Sequence, residues 1–368
     1  MLPLSWYRCR AAAAAPLEES DTHAHHASLP LRAQRDDGSD AMITHALAPA
    51  ALDALSALAV GRRGIYRDDA AFDDLLASAT AALAAEDPDT VAVIRRFAAA
   101  DVPDGAVFFT GFTVDQEQMG RTPEGWQLEF QNQDRDPVTE ATLLALAGTA
   151  GEIFAFARQH AGAQIQNVAP VKGHEYDAVG TGSRGLLDWH TEDAFDDAHP
   201  HYVGLLCVRG DVNADTALAP IDRVVLSPED ERILREPRFL HGIDKASGGT
   251  GRPEDGVRGP VLYGEDGERF VRVDMDCAAA VESDEEAAAA LRRFHDAADA
   301  ARIAVNLKAG DLLLFDNRRV LHARTSFEPR YDGTDRWLQR VIITGDPGAS
   351  AGRRTRRPRV VENDPAGQ

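Results

Sequence analysis

Cysteine is scarce in this chain: Cys9, Cys207 and Cys277 are all that 368 residues hold, and no two form a CxxC pair. That spacing argues against a disulfide framework or a zinc knuckle and fits a reducing cytoplasmic compartment. Long apolar runs are missing too, since none approaches the roughly 20 residues that a membrane-spanning helix needs. The opening MLPLSWYRCRAAAAAPLEES carries its arginines after the apolar residues rather than before them, which speaks against a secretory signal. Positive charge is outnumbered, with 39 Lys and Arg against 60 Asp and Glu and a net charge of -21. A phosphate backbone is met by clustered Lys and Arg, so nucleic acid is not the expected partner. The one dense basic run is GRRTRRPR near the C-terminus.

What is present is a core-forming chain, 44% hydrophobic, with two unpatterned ends. Residues 1–41, including the HAHH run at 23–26, and residues 347–368 read as disordered tails around one domain, 42–346. Segments near 48–60, 69–84, 87–99 and 137–160 are rich in Ala and Leu at helical spacing and predict a helical layer over 42–160. From about Ala163 short strand-like runs follow one another: AQIQNV, GLLDWH, YVGLLCV, DRVVL, GPVLYG, RFVRVDM, DLLLFDN, RVLHAR and LQRVIITG. One helix, expected over 284–302 behind the capping box SDEE at Ser283, interrupts them. The fold class this predicts is mainly β with flanking helices, a sandwich or barrel over 161–346.

Chemistry concentrates in LDWHTEDAF, residues 187–195. His190 and Glu192 are two apart, so on a strand their side chains share a face and converge on one point. An isolated HxE is more often a polar edge strand with a hydrogen-bonded histidine, so the rest of the chain has to decide. A second segment, AGDLLLFDNRRVLHAR, carries His322 on a short strand after two turns. Two histidines and one carboxylate on neighbouring strands make the facial triad that suits non-haem Fe(II) and leaves positions open for oxygen chemistry. Fourteen residues beyond His322, DRWLQRVIITG supplies Arg336 and Arg340. A guanidinium fork offers bidentate bonding to the far carboxylate of 2-oxoglutarate.

Through WHTEDAF, GDLLLFDNRRVLHAR and RWLQR the chain resembles the Fe(II)/2-oxoglutarate-dependent oxygenases, in particular the clavaminate synthase-like branch that hydroxylates free amino acids in peptide antibiotic pathways. The resemblance extends more loosely from about Ile43 to Asp346. It implies a double-stranded β-helix, or jelly roll, with His190, Glu192 and His322 as iron ligands, Arg336 on the 2-oxoglutarate carboxylate, and O2 as oxidant. It also implies that Gln159 holds the α-amino group of a free amino acid and Arg340 its carboxylate. Glu192, standing where halogenases of this class have a small residue, argues for hydroxylation or desaturation.

The side-chain pocket remains to be filled. RFVRVDMD places Asp274 and Asp276 two apart on an expected strand, so both carboxylates can face one cation; a water-facing strand end is the plainer alternative. The resemblance implies contact with a basic substrate. The loop HGIDKASGGTGRPEDG, 241–256, is long and glycine-rich in the manner of active-site lids, with Asp244 placed to close over a guanidinium. The favoured function is hydroxylation of L-arginine at C3 or C4. The alternatives are another polar amino acid (lysine, citrulline, asparagine or a cyclised arginine) or a jelly-roll binding protein with structural histidines.

Overall fold

The computed structural model describes residues 42–125, 128–265 and 267–363. The expected N-terminal tail, with its HAHH run and Cys9, lies outside the described residues, as do 364–368. Among the described residues no helix is long and apolar enough to cross a membrane, and Cys207 and Cys277 are buried free thiols.

Two sheets organise the domain. The larger runs through Ile43–Ala46, Ala106–Thr110, Leu312–Asp316, Tyr202–Arg209, Trp337–Thr344, Glu152–Phe156 and Val360–Val361, with Gln166–Val168 also paired to Trp337–Thr344. The smaller has the order Ile303–Val305, Thr216–Pro220, Val320–Arg324, Leu187–His190. Strand alternation explains why LLLF and YVGLLCV are apolar throughout. Leu313, Phe315, Val203 and Leu205 join Leu218 and Val320 of the smaller sheet in one cluster. Leu312, Leu314, Leu206 and Val208 point the other way, into the cluster formed by the helices. Both faces of the larger sheet are therefore covered, so no solvent-facing polar alternation appears along these strands.

The helices Pro49–Ala59, Asp69–Glu86 and Pro88–Ala98 fall close to their expected positions. Asp68 and Asp87 cap the latter two, Asp68 by accepting from the N–H groups of Ala70 and Ala71 and Asp87 from that of Thr90. The expected helix over 137–160 is shorter. It spans Val138–Ala150, and Glu152–Phe156 is a strand. Gly151 makes the change of course because a Cβ there would stand 2.5 Å from the Thr344 carbonyl oxygen, so the helix cannot end against this strand with any side chain. Two further strands, Ile43–Ala46 and Ala106–Thr110, also lie inside the expected helical layer.

Other expectations are corrected as well. DRVVL is not a strand, and Val225 is 85% exposed; its place is taken by Thr216–Pro220, whose TALAP has weak β propensity but is buried between two partner strands. Ser283 does not cap the last long helix. It sits at φ 64°, and Asp284 accepts from the Ala287 N–H at 3.0 Å to start Glu285–Ala300. The expectation that the chain holds no GxGxxG is also wrong: GTGSRG at 180–185 has that spacing, but it lies among turns with no helix after it, so it is not a dinucleotide loop. The C-terminal segment expected as a tail is instead packed: Val360–Val361 pairs in parallel with Ala155–Phe156, and Val360 and Val361 are buried.

Candidate active site

Register brings the two histidines together. Leu187–His190 and Val320–Arg324 pair antiparallel with His190 opposite His322, and their ring centroids are 3.9 Å apart. The strand ends at His190, so Glu192 does not extend it as expected; it opens a turn. Ligand-capable atoms of His190, Glu192 and His322 nonetheless all lie within 4.8 Å of one another. His190 Nδ1 is hydrogen-bonded to the Asp188 carbonyl at 2.8 Å, which leaves Nε2 for a metal. Burial and the nearby His322 lower the His190 pKa, favouring the neutral imidazole that ligates. Burial would raise the Glu192 carboxyl, but Arg340 with His322 and His190 holds it well below the usual carboxylate range. Two imidazoles and one ionised carboxylate suit Fe(II) with coordination positions to spare.

Asn317 holds the acid in place and was not singled out from the sequence. It is fully buried in the turn between Leu312–Asp316 and Val320–Arg324. Its Oδ1 accepts from the Glu192 N–H at 2.8 Å and its Nδ2 donates to the Glu192 carbonyl at 3.2 Å. The signal available was the DN pair of FDNRR, a turn pair whose side chain is free to bond backbone.

Arg336 immediately precedes the strand Trp337–Thr344 and Arg340 lies four residues on, within it; both line the same cavity as the triad. Arg336 is 5% exposed, and its hydrogen bond is to Thr216 Oγ1 at 3.2 Å. No carboxylate pairs with it among the described residues, a costly arrangement unless an anion completes it. Arg340 is differently placed: Nη1 is 2.5 Å from Glu192 Oε1, and Nε and Nη2 bond Gln166 Oε1 at 2.8 and 2.5 Å.

Gln159 follows a strand rather than ending a helix. Its Nε2 donates to Asp193 Oδ1 and to Ser247 Oγ, the latter at 2.8 Å, while its Oε1 is buried without a partner. The 241–256 loop thereby reaches the site. Asp244 lines the cavity and accepts from the Ser247 N–H and hydroxyl at 2.7 and 3.0 Å. Glycine in this loop answers crowding: a Cβ on Gly242, Gly249 or Gly256 would stand 2.6, 2.1 or 1.8 Å from a backbone oxygen.

The acidic pair does not converge. Asp274 lines the cavity, bridged by its backbone to His190; burial pushes its carboxyl up to about 6. Asp276 lies in the next turn, where its Oδ2 accepts from the Asp188 N–H at 3.0 Å. The chain turns after Asp274 instead of continuing as a strand, so the two-residue spacing no longer puts both carboxylates on one face.

Comparison with known proteins agrees with this geometry. Residues 77–342 match the model of the taurine catabolism dioxygenase TauD, TfdA family. The chain is similar to an L-ornithine/L-arginine 3-hydroxylase of Catenulispora acidiphila, 31% identical over 265 residues that cover 66% of this chain and 77% of the relative. It is also similar to an L-asparagine oxygenase of Streptomyces coelicolor, 37% identical over 248 residues, 66% of this chain and 72% of the relative. Among solved structures, the non-heme iron oxygenase OrfP in complex with Fe and alpha-ketoglutaric acid superposes with a TM-score of 0.76 at 30% identity, covering 87% of this chain and 100% of that one. The chain belongs to the TauD/TfdA family and is an Fe(II)- and 2-oxoglutarate-dependent dioxygenase.

Proposed function

We propose that the protein hydroxylates a free L-amino acid, L-arginine before others, at C3 or C4, within a double-stranded β-helix formed by the two facing sheets. The observation that carries the amino acid reading is Gln159 Oε1, a buried acceptor with no partner at the cavity wall; an α-ammonium group satisfies it. Relatives that act on free amino acids, including ornithine or arginine, asparagine and lysine, support the class. Iron with 2-oxoglutarate and O2 supplies the oxidising power that turns one C–H into C–OH, the cosubstrate leaving as succinate and CO2.

The chain's own share is binding and orientation. His190, Glu192 and His322 hold the metal, and Arg336 with Thr216 grips the far carboxylate of 2-oxoglutarate. Arg340 faces the substrate carboxylate while keeping Glu192 ionised. For the side chain, Asp274 and the loop residue Asp244 are the acids at the cavity, which favours a cationic group. The backbone at Asp276 orients Asp274, whose Oδ1 accepts from the Asp276 N–H at 3.0 Å. A neutral polar side chain such as that of asparagine is the second reading, favoured by the asparagine oxygenase.

The test is incubation with Fe(II), 2-oxoglutarate and each common amino acid singly, reading succinate and a product heavier by one oxygen. Arginine should give both, and alanine in place of His190, Glu192 or His322 should abolish them in a folded protein. Succinate from no amino acid sinks the proposal.

A further inference from the structure

Four arginines of the dense basic run GRRTRRPR are paired with acids of the same domain. Arg353 forms a bidentate pair with Asp196, Nη1 to Oδ1 at 2.7 Å and Nη2 to Oδ2 at 2.6 Å. Arg354 bonds Glu152 on the larger sheet. Arg357 bonds Asp69 at 2.8 Å and the Gly162 carbonyl at 2.9 Å, and Arg359 bonds Asp73 at 2.6 Å. The segment thus ties the Asp69–Glu86 helix, the larger sheet and the turn after Glu192 to one another. It closes on itself as well, since the Glu362 N–H donates to the Arg353 carbonyl at 2.8 Å and Arg353 Nη2 donates to the Glu362 carbonyl at 2.7 Å.

The Asp196 end bears on the metal centre. Asp196 has no exposed surface. Its N–H donates to the Asp193 carbonyl at 2.9 Å and its Oδ1 accepts from the Ala198 N–H at 2.8 Å. These bonds close the turn that begins one residue beyond Glu192, where Asp193 is in the left-handed region at φ 55°. Asn317 fixes the Glu192 backbone from one side. From the other side the turn is anchored through Asp196, and the partner of that buried carboxylate comes from the C-terminal segment.

We infer that residues 347–363 form a strap that aims the metal carboxylate, with Arg353 as a positioning residue acting on Glu192 through Asp196. The inference rests on the reading of His190, Glu192 and His322 as metal ligands. Partners that orient a ligand affect metal affinity by roughly tenfold to a hundredfold, whereas a strap with only a stabilising role would lower thermal stability and leave affinity unchanged in the protein that remains folded.

The test uses the full chain, freed of metal and titrated with Co(II) at a temperature where circular dichroism shows it folded. Arg353→Gln should weaken Co(II) binding by about tenfold, and Arg353→Lys, which keeps the charge but not the fork, should fall between it and wild type. Arg359→Gln, at the far end of the strap, should lower Tm and leave Co(II) affinity at the wild-type value. If Arg353→Gln does not fold, Asp196→Asn carries the same expectation, because it keeps the side chain's volume and its acceptor for Ala198. Equal, wild-type Co(II) affinity in the Arg353 or Asp196 variant and in Arg359→Gln overturns the strap's role in aiming Glu192. No Co(II) binding by the wild-type chain, or binding that survives loss of both His190 and His322, overturns the metal reading instead.

Discussion

Two arginines four residues apart, one just before and one within the strand Trp337–Thr344, differ in their partners, and that difference separates their roles. Arg336 lacks a carboxylate among the described residues, while Arg340 already touches Glu192. Arg336→Leu should raise the KM for 2-oxoglutarate by roughly tenfold to a hundredfold, the equivalent of about 1.5 to 3 kcal/mol for a charge-assisted contact. Arg340→Leu should raise the amino acid KM and also weaken metal binding, because Glu192 loses the charge that keeps it ionised. Indistinguishable steady-state profiles for the two variants would show that the division of roles is wrong. The acids make a second test. If Asp274 faces a cationic side chain, arginine should exceed the neutral citrulline in kcat/KM by on the order of tenfold or more. Asp274→Asn should shrink that ratio, and Asp276→Asn should shrink it less, since the Asp276 carboxylate is engaged with the Asp188 backbone. Equal use of citrulline and arginine by the wild-type enzyme would shift the reading to a neutral substrate.

At the scale of elements, what could be read in advance depended on whether a segment's own pattern or its neighbours decided its structure. The cluster of His190, Glu192 and His322 was legible because HxE and the later histidine have a chemistry that spacing alone suggests. The runs LLLF and YVGLLCV were legible because they are buried on both faces. TALAP was not, since its strand exists only through its two partners, and neither was the turn after Asp274, which no residue in RFVRVDMD announces. The 137–160 run misled because its Ala and Leu content crosses Gly151 without a visible break, and the break is set by a strand some 190 residues later in the chain. Gly151→Ala should therefore be costly. A methyl group 2.5 Å from the Thr344 oxygen and 3.0 Å from the Ile343 side chain forces the strand that carries both arginines to shift, at about 1 to 3 kcal/mol. Thermal unfolding at the wild-type temperature would contradict this account.

Across the whole molecule, acid should act through two buried histidines outside the triad of His190, Glu192 and His322. Burial first, then the positive charge of Arg272, pushes the pKa of His241 and of His199 down to about 4. An unfolded histidine titrates near 6.5. Between these values the unfolded chain binds more protons than the folded one, so the contribution is complete above about pH 6.5 and is lost as pH falls toward 4. The loss attributable to His241 is on the order of 3 kcal/mol at the lower end. Buried carboxyls raised by burial, Asp274 among them, contribute with the opposite sign, so the decisive quantity is a difference. His241→Gln should show a shallower fall in urea midpoint between pH 7 and pH 5 than the wild type. Parallel falls would remove His241 from the account.

The glycines of the 241–256 loop bear on how substrate choice can change. At Gly242, Gly249 and Gly256 the backbone passes too close to other backbone for any side chain, so the base of the loop is pinched shut by main chain alone. Asp244, Lys245 and Ser247 lie between those points, with Lys245 Nζ resting on Asp177 at 2.9 Å. A pinched base with a variable crown behaves as an exchangeable cartridge. Residues over the cavity can be replaced while the neck keeps its path, and a graft from a relative keeps its shape only if it is cut outside all three glycines.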